Sequence, residues 1–253
     1  MAQATSAFGR QLKQWRRQRG VSQLALSERA QVSQRHISFI ETGRSRPGED
    51  TVHRIAEALE IPLRERNSMF EAAGLAAMYP EHPMSDSALA PFRQAIARIL
   101  EAHEPYPAFV INRWWDVVDV NKAASRFLPV SPGAPINFLE VFFSPGPFRT
   151  LVVNYPSVAW AALRRMRTEA AHFGSDERLS KLMARAEQSL SDVPDTNESR
   201  DGDLVVCPHL RWGDRVIKTI SIVARFGNTR EVTLDEFRVE LMLSQAKSDV
   251  DFF

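Results

Sequence analysis

The stretch VSQLALSERAQVSQRHISFIE, residues Val21 to Glu41, decides how the first part of the chain is read. It spells two short helices joined by a tight turn. Ser22 is placed to cap the first helix, whose apolar positions are Leu24, Leu26 and Ala30. Ser33 is placed to cap the second, where Ile37 and Ile40 fall on one face. On a 3.6-residue wheel Arg35, Ser38, Phe39 and Thr42 point the opposite way, with Gln34 and His36 on the flanks. A core helix does not present Arg, Ser and Thr together, and a solvated helix more often carries Glu and Lys pairs. A face of Gln, Arg, Ser and Phe suits the base edges of a DNA major groove.

The flanks agree. Upstream, in FGRQLKQWRRQRG, Phe8, Leu12 and Trp15 are spaced for one helix face and Gly20 ends the helix. Downstream, TGRSRP (Thr42 to Pro47) is a loop with two arginines. DTVHRIAEALEIP then predicts a helix capped by Asp50, with Val52, Ile55, Ala56 and Leu59 inward. LRERNSMFEAAGL predicts a fifth helix between Pro62 and Gly74. Five helices in about 70 residues make one small all-helical domain.

The run from Ser22 to Pro47, followed by TVHRIAEAL, resembles the helix-turn-helix of the lambda-repressor-like or XRE family. The matching residues are Gln23, Ala30, Val32, Ser33, Ile37, Ile40, Glu41, Gly43 and Pro47, within roughly residues 6–75. Leu24-Ala25-Leu26-Ser27 departs from the family's acidic residue followed by Leu-Ala. The resemblance implies double-stranded DNA as partner. Gln23, at a helix N-terminus, then suits a phosphate. Ser33, Gln34, Arg35, Ser38, Phe39 and Thr42 suit the groove: Gln pairs with adenine, Arg with guanine, and Phe39 reaches a thymine methyl. Arg44 and Arg46 suit the DNA backbone. The resemblance also implies an internal Arg16–Glu41 ion pair.

Charge distribution points the same way. The chain of 253 residues carries a formal charge of only +1, yet residues 1–48 hold nine Lys/Arg against Glu28 and Glu41. That places a basic module on an acidic body. Cys207 is the only cysteine, so no intrachain disulfide forms. Its setting, VVCPH, reads as a strand interior with a buried inert thiol, and His209 two positions on would share its face. No signal peptide or membrane-length apolar run is present, which predicts a cytoplasmic protein with no membrane partner.

Residues 79–91 read as a linker between a helix-turn-helix domain, 1–78, and a second domain, 92–253. In the second domain a helix places Phe92, Ile96, Ile99 and Leu100 on one face. Strands are expected at Ala108–Ile111 and Trp115–Val120, and Asn121 caps a helix running through Leu128. Ile136–Ser144 reads as a short apolar helix. Long amphipathic helices follow, from about Ser157 and from a cap at Ser175. A polar loop (Asp192 to Asp203) leads into strands LVVCPHLRW, VIKTISIVARF and FRVELMLSQ, with Gly213-Asp214 as the first hairpin turn. The fold class is α+β in two domains. The second carries a five-stranded antiparallel sheet with helices over one face, a PAS-like outline.

This segment resembles the ligand-binding domain of MmyB-like regulators, through PAFVINRWWDVVDVNKAASRFL, NFLEVFF, ALRRMRTEAA followed by SDERL, and VTLDEFRVELML. The resemblance implies a pocket between sheet and helices for a fatty acid or similar long apolar ligand; PAS-like domains elsewhere hold haem or flavin, and no residue here is marked as an axial ligand. Trp114, Phe127, Leu139, Phe142, Phe143, Trp160, Leu163 and Met166 are the pocket's candidate lining. Trp115 and Phe138 add to the same apolar load. Arg113, Arg164, Arg211 and Tyr155 are candidates for a carboxylate at the mouth, and His209 for polar lining. The whole reads as a transcription regulator acting as a homodimer on a palindromic operator, since one recognition helix reads only a few base pairs. The alternative is a DNA-binding protein whose second domain mediates protein interaction or dimerisation. No phosphate loop, paired metal-spaced histidines or nucleophile elbow supports an enzyme.

Overall fold

The computed structural model describes residues 6–128, 136–174, 176–195 and 205–246. The chain forms two compact units, one built mainly on residues up to Glu81, the other mainly on residues from His82 onward. Among the described residues no helix is long and apolar enough to cross a membrane.

The first unit is α1 (Ala7–Gln18), α2 (Gln23–Ala30), α3 (Gln34–Glu41), α4 (Glu49–Ala58) and α5 (Leu63–Ala72). Phe8, Leu12, Trp15, Leu26, Ala30, Ile37, Ile40, Val52, Ile55 and Leu59 share one buried core, as the periodicity predicts. Ser22 and Ser33 cap α2 and α3, accepting from the N–H groups of Ala25 (3.0 Å) and His36 (3.2 Å). Between those helices Gln31 takes a left-handed conformation (φ 51°) and the Val32 N–H returns to the Ser27 carbonyl, which closes the turn. Gly9 lets α1 approach α3: a Cβ there would lie 2.6 Å from the Ile40 carbonyl oxygen. Two expectations fail. Leu24 is 55% exposed, because the inward side of α2 is set by Leu26 and Ala30. Gly48, not Asp50, stands before α4, and Asp50 instead pairs with Arg54 one turn on.

A buried ion pair locks this unit. Arg16 grips Glu41 with two hydrogen bonds, Nε to Oε1 at 2.7 Å and Nη2 to Oε2 at 3.1 Å. Its third nitrogen donates to the Val21 carbonyl, and Gln23 donates to Glu41 at 2.8 Å. The Glu41 hydrogen bond outweighs the burial penalty and raises the Arg16 pKa.

The second unit opens with a 3-10 turn (Ser87–Leu89) and α6 (Ala90–Ala102). Then come β1 (Ala108–Ile111), β2 (Asp116–Val120), α7 (Lys122–Ser125), β3 (Ile136–Asn137), α8 (Phe138–Phe143) and α9 (Pro147–Leu151). The chain continues with α10 (Tyr155–Phe173), α11 (Glu177–Ser189), β4 (His209–Trp212), β5 (Arg215–Arg225), α12 (Val232–Glu236) and β6 (Arg238–Ser244), of which Ala170–Phe173 and Val232–Asp235 belong with the first unit. The sheet order is β3-β2-β1-β6-β5-β4, and every paired neighbour is antiparallel. The N-terminal hairpin thus joins the C-terminal meander through β1 and β6.

Six strands replace the five expected. The addition is β3, held beside β2 for two residues by Asn137, whose amide donates to the Trp114 carbonyl and to Asp116. The Asn137 side-chain oxygen then caps α8, so the chain turns helical at once. Helices cover both faces of the sheet rather than one. Ile96 and Leu100 of α6 pack with Ala108, Val110 and Val239, while β1 is buried along its whole length. A strand covered on both sides reads as an unbroken apolar run, which is why AFVI does not alternate.

Smaller differences follow local chemistry. α6 begins at Ala90 with Pro91 in its first turn, and Phe92 and Ile99 remain 37% and 40% exposed. α7 ends at Ser125, short of Leu128. The expected Ser175 cap lies outside the described residues; Asp176 caps α11, accepting from the Leu179 N–H at 2.8 Å. Much of the polar loop before β4 also lies outside them. Cys207 is buried but precedes β4, so it shares no strand face with His209. Its sulfur accepts from the Ser221 N–H.

Arg16→Met leaves the Glu41 carboxylate buried without its partner. The first unit is expected to lose about 3 kcal/mol of stability, measured as a lowered urea midpoint for loss of its helical signal.

Candidate DNA-reading face and ligand cavity

In α3, Ile37 and Ile40 are fully buried, which turns Ser33, Gln34 and Arg35 to solvent and leaves Ser38 and Phe39 half-buried. The C-terminus of α3 closes on itself. Gly43 sits at φ 76°, its N–H returns to Ile40, and the Arg44 N–H returns to Phe39 at 2.8 Å. This closure is the Schellman arrangement, which needs a residue tolerant of positive φ after the helix cap. It folds Arg44 back over α3. The guanidinium carbons of Arg35 and Arg44 lie 5.2 and 5.9 Å from the centroid of the Phe39 ring. Phe39 is therefore a platform for two cations on the exposed face. Arg46 and Thr42 are exposed nearby in sequence, and the Thr42 hydroxyl donates back to the Ser38 carbonyl. Gln23 differs from expectation in its present setting: its amide is engaged with Glu41, within the ion-pair cluster.

In the second unit, two adjoining apolar cavities lie between the sheet and α7 to α10. The larger, about 180 Å³, is bounded by Phe109, Trp115, Phe138, Phe142, Ala162 and Arg165 among others. The smaller, about 60 Å³, is bounded by Phe127, Leu128, Phe148, Leu151 and Leu210 among others. Phe109, Phe138, Phe142, Pro208 and Met242 line both. Phe138 stacks on Phe109 at 5.0 Å and on Phe142 at 5.7 Å, which makes an aromatic wall between the two spaces. Ala161 and Ala162 leave the room that a larger side chain on α10 would take.

Of the eight residues chosen as lining, Phe127 and Phe142 touch these cavities. Leu139, Phe143, Leu163 and Met166 are buried in the surrounding core instead. Trp114 donates to Asp176 (2.9 Å) and Trp160 to the Val193 carbonyl (3.0 Å), so both indoles serve as clasps. The proposed mouth residues also lie elsewhere. Arg113 is buried between Glu236 and Asp176. Arg164 pairs with Asp195 at the surface, and Arg211 is exposed. The Tyr155 hydroxyl donates to the Phe142 carbonyl, and burial raises its pKa. His209 lines neither cavity. The cavity arginine is Arg165, one position along α10 from Arg164, a rotation of about 100°. Trp115, Phe138, Phe109 and Met242 complete the wall; the first two were conspicuous in the sequence only as part of an aromatic-rich stretch.

The polar end of the larger cavity is a charged cluster. Arg165 binds Glu240 with both terminal nitrogens and Glu169 through Nε. Arg238, 2% exposed, pairs with Glu169. Burial lowers the Arg238 pKa despite that neighbour. Burial also opposes the charge of Arg165, but Glu240 and Glu169 more than compensate and raise it. Both guanidiniums stand close to the Trp115 ring, at 4.8 and 4.2 Å. Among the described residues no group of three metal-ligating side chains forms a metal site.

Residues 92–248 match the family described as the MmyB-like transcription regulator ligand binding domain, and residues 7–69 match a helix-turn-helix domain. The chain belongs to the MmyB-like transcription regulators. No curated protein matches it. An MmyB-like regulator couples a DNA-binding helix-turn-helix domain to a ligand-binding domain, and both are regulatory rather than enzyme families. The helical first unit and the cavity-bearing second unit occupy those two matched segments.

Arg35→Ala is expected to lower specific operator affinity by roughly 1–3 kcal/mol and relax preference at one base position. Phe39→Ala should weaken specific binding in the same direction, because Arg35 and Arg44 lose their common support. Arg46→Ala should weaken binding to all sequences and reduce the salt slope. Titrations of operator and random duplexes at several salt concentrations separate these outcomes.

Proposed function

We propose that this regulator senses a small, largely apolar molecule in the α10–sheet cavity and changes its operator affinity in response. The observation that carries the reading is the apolar cavity itself, walled by Phe109, Phe138 and Phe142 and continued toward Phe127. A fatty acid or similar chain is the ligand type that fits such a wall. Together the two spaces fall below the roughly 300 Å³ typical of small-molecule sites. A long chain therefore needs movement of the shared aromatic wall, and that movement is how occupancy would reach the rest of the unit. The DNA face proposed is Ser33, Gln34, Arg35, Ser38, Phe39 and Thr42, with Arg44 and Arg46 on the backbone. Gln23 joins it if it exchanges Glu41 for a phosphate. Residues 1–78 and 92–253 act as the two domains, joined by 79–91, in a cytoplasmic protein.

The reading is tested by native mass spectrometry of protein taken from its own host, before and after denaturation. A small molecule released on denaturation supports it. Ala162→Phe, which fills the larger cavity, should lose that molecule while keeping the fold. If the variant retains the molecule, the cavity is not its site.

The same proposal has the regulator act as a homodimer on a palindrome. One feature favours an assembly role for the second unit: Val216, Ile220 and Ile222 share one side of β5 and are 43–47% exposed. Alternate residues of a strand share a face, so these three make one apolar strip. Ile222→Glu is expected to shift the protein toward monomer in sedimentation velocity and to weaken operator binding. An unchanged sedimentation coefficient would remove this strip from the account.

A further inference from the structure

α10 runs unbroken from Tyr155 to Phe173, yet its last turn belongs to the first unit and its earlier turns to the second. The earlier turns carry Val158, Ala161, Ala162 and Arg165, which line the larger cavity. Their spacing puts them on one helix face. One turn further, Glu169 is tied to Arg165 and Arg238. A helix end leaves its last carbonyls without partners in the helix. Here two of them are taken by the end of α1. The Gln18 amide donates to the Ala171 carbonyl at 2.7 Å. The Arg19 guanidinium donates to the carbonyls of His172 (3.0 Å) and Ala171 (3.4 Å).

Arg19 is shared between two helix ends. Its Nε also donates to the Leu59 carbonyl at 3.0 Å, and its Nη2 to the Glu60 carbonyl at 3.3 Å. One cation therefore sits at the C-termini of α4 and α10, where both helix dipoles favour it. The guanidinium also lies 5.3 Å from the centroid of the Trp15 ring. Gly174, just past α10, fits against that same ring. It takes φ 82°, and a Cβ there would lie 2.8 Å from two Trp15 ring carbons. Such a fit makes a shaped seat for the helix end. One turn back along α1, Arg16 holds Glu41 at the end of α3. The end of α1 thus grips α10 and α3 from positions three residues apart.

We infer that α10 relays occupancy of the cavity to the helix-turn-helix unit, and that the clasp of Gln18 and Arg19 on its last carbonyls is the contact that switches. The inference rests on the cavity reading proposed above and names the regulation of that site. From Arg165 to His172 the helix rises only about 10 Å, and a hydrogen-bonded helix moves as a rod. A chain lodged against Ala161 and Ala162 therefore displaces the clasped carbonyls as well. The closed clasp occurs together with a cavity too small for a long chain, so a ligand that widens the cavity works against the clasp. A ligand shifts an equilibrium only through contacts that differ between two states, and the clasp supplies that difference. The coupling is reciprocal: loosening the clasp favours the ligand as much as the ligand loosens the clasp.

The test uses dodecanoate as probe on the full-length protein. Hydrogen exchange followed by mass spectrometry should show slower exchange across residues 155–165 on binding, and faster exchange across 17–23 and 170–174. Ala162→Phe should abolish both changes. By calorimetry, Arg19→Ala should bind dodecanoate about fivefold tighter, although Arg19 does not touch the cavity. Gln18→Ala removes one exposed donor, leaves the hold of Arg19 on α4, and should shift affinity in the same direction. On a duplex selected from a random pool by the unaltered protein, dodecanoate should change affinity about fivefold, and by less than about twofold in Arg19→Ala. If residues 155–165 respond while 17–23 and 170–174 do not, the relay is overturned and the cavity reading stands. The same follows if both variants bind dodecanoate as the unaltered protein does. If dodecanoate does not bind, the cavity reading falls and the relay with it. The exchange pattern is read on the unaltered protein, so the result does not depend on a variant folding.

Discussion

The pairing of β1 with β6 is the constraint on which the second unit depends. Residues Ala108–Ile111 and Arg238–Leu241 meet from opposite ends of the domain and join the early hairpin to the late meander in one sheet. Without that ladder the chain holds two separate hairpins, each marginal alone. Strand alternation then sorts the side chains. Ala108, Val110 and Val239 go to the α6 face, and Phe109, Glu240 and Met242 to the face that carries the cavity. Loop-closure entropy opposes so distant a contact, and burial of β1 on both faces offsets it.

On the cavity face the domain accepts an expensive arrangement. Buried Arg238 and Glu240 are grouped with partly buried Arg165 and Glu169, where desolvation commonly cancels the Coulombic gain. A hydrophobic replacement would pack α10 against the sheet at least as well. The cluster therefore makes better sense as part of a site than as a source of stability. The strained Trp115 in its midst fits the same view, since strain and incomplete hydrogen bonding accumulate where a protein is shaped for a ligand.

The first unit uses charge differently. The Arg16–Glu41 pair is tied to Val21 and Gln23, so one cluster fixes α1, the start of α2 and the end of α3. It thereby fixes α3 from its inner side. The outer side is ordered by Phe39 beneath Arg35 and Arg44, and by the glycine-closed helix end that brings Arg44 back. The residues proposed to read DNA are thus held in place by the fold itself, an arrangement that would reduce the ordering entropy of binding.

The sequence by itself determined the five-helix unit almost completely, along with the caps at Ser22, Ser33 and Asn121 and the hairpin turn at Gly213-Asp214. These features are local: capping, helical period and turn chemistry act within a few residues. It also determined that the second unit mixes a hairpin, helices and a meander. Only the tertiary structure decided which aromatic side chains face the cavity. Trp114 and Trp115 are adjacent, yet the first bonds Asp176 and the second lines the space, because a left-handed turn at Trp115 redirects the chain. Arg164 and Arg165 differ by one helical step, and only the packing of α10 on β6 makes the second the cavity residue. Apolar content is readable along the chain, but whether a buried ring borders a void or another ring depends on elements that meet from more than a hundred residues apart.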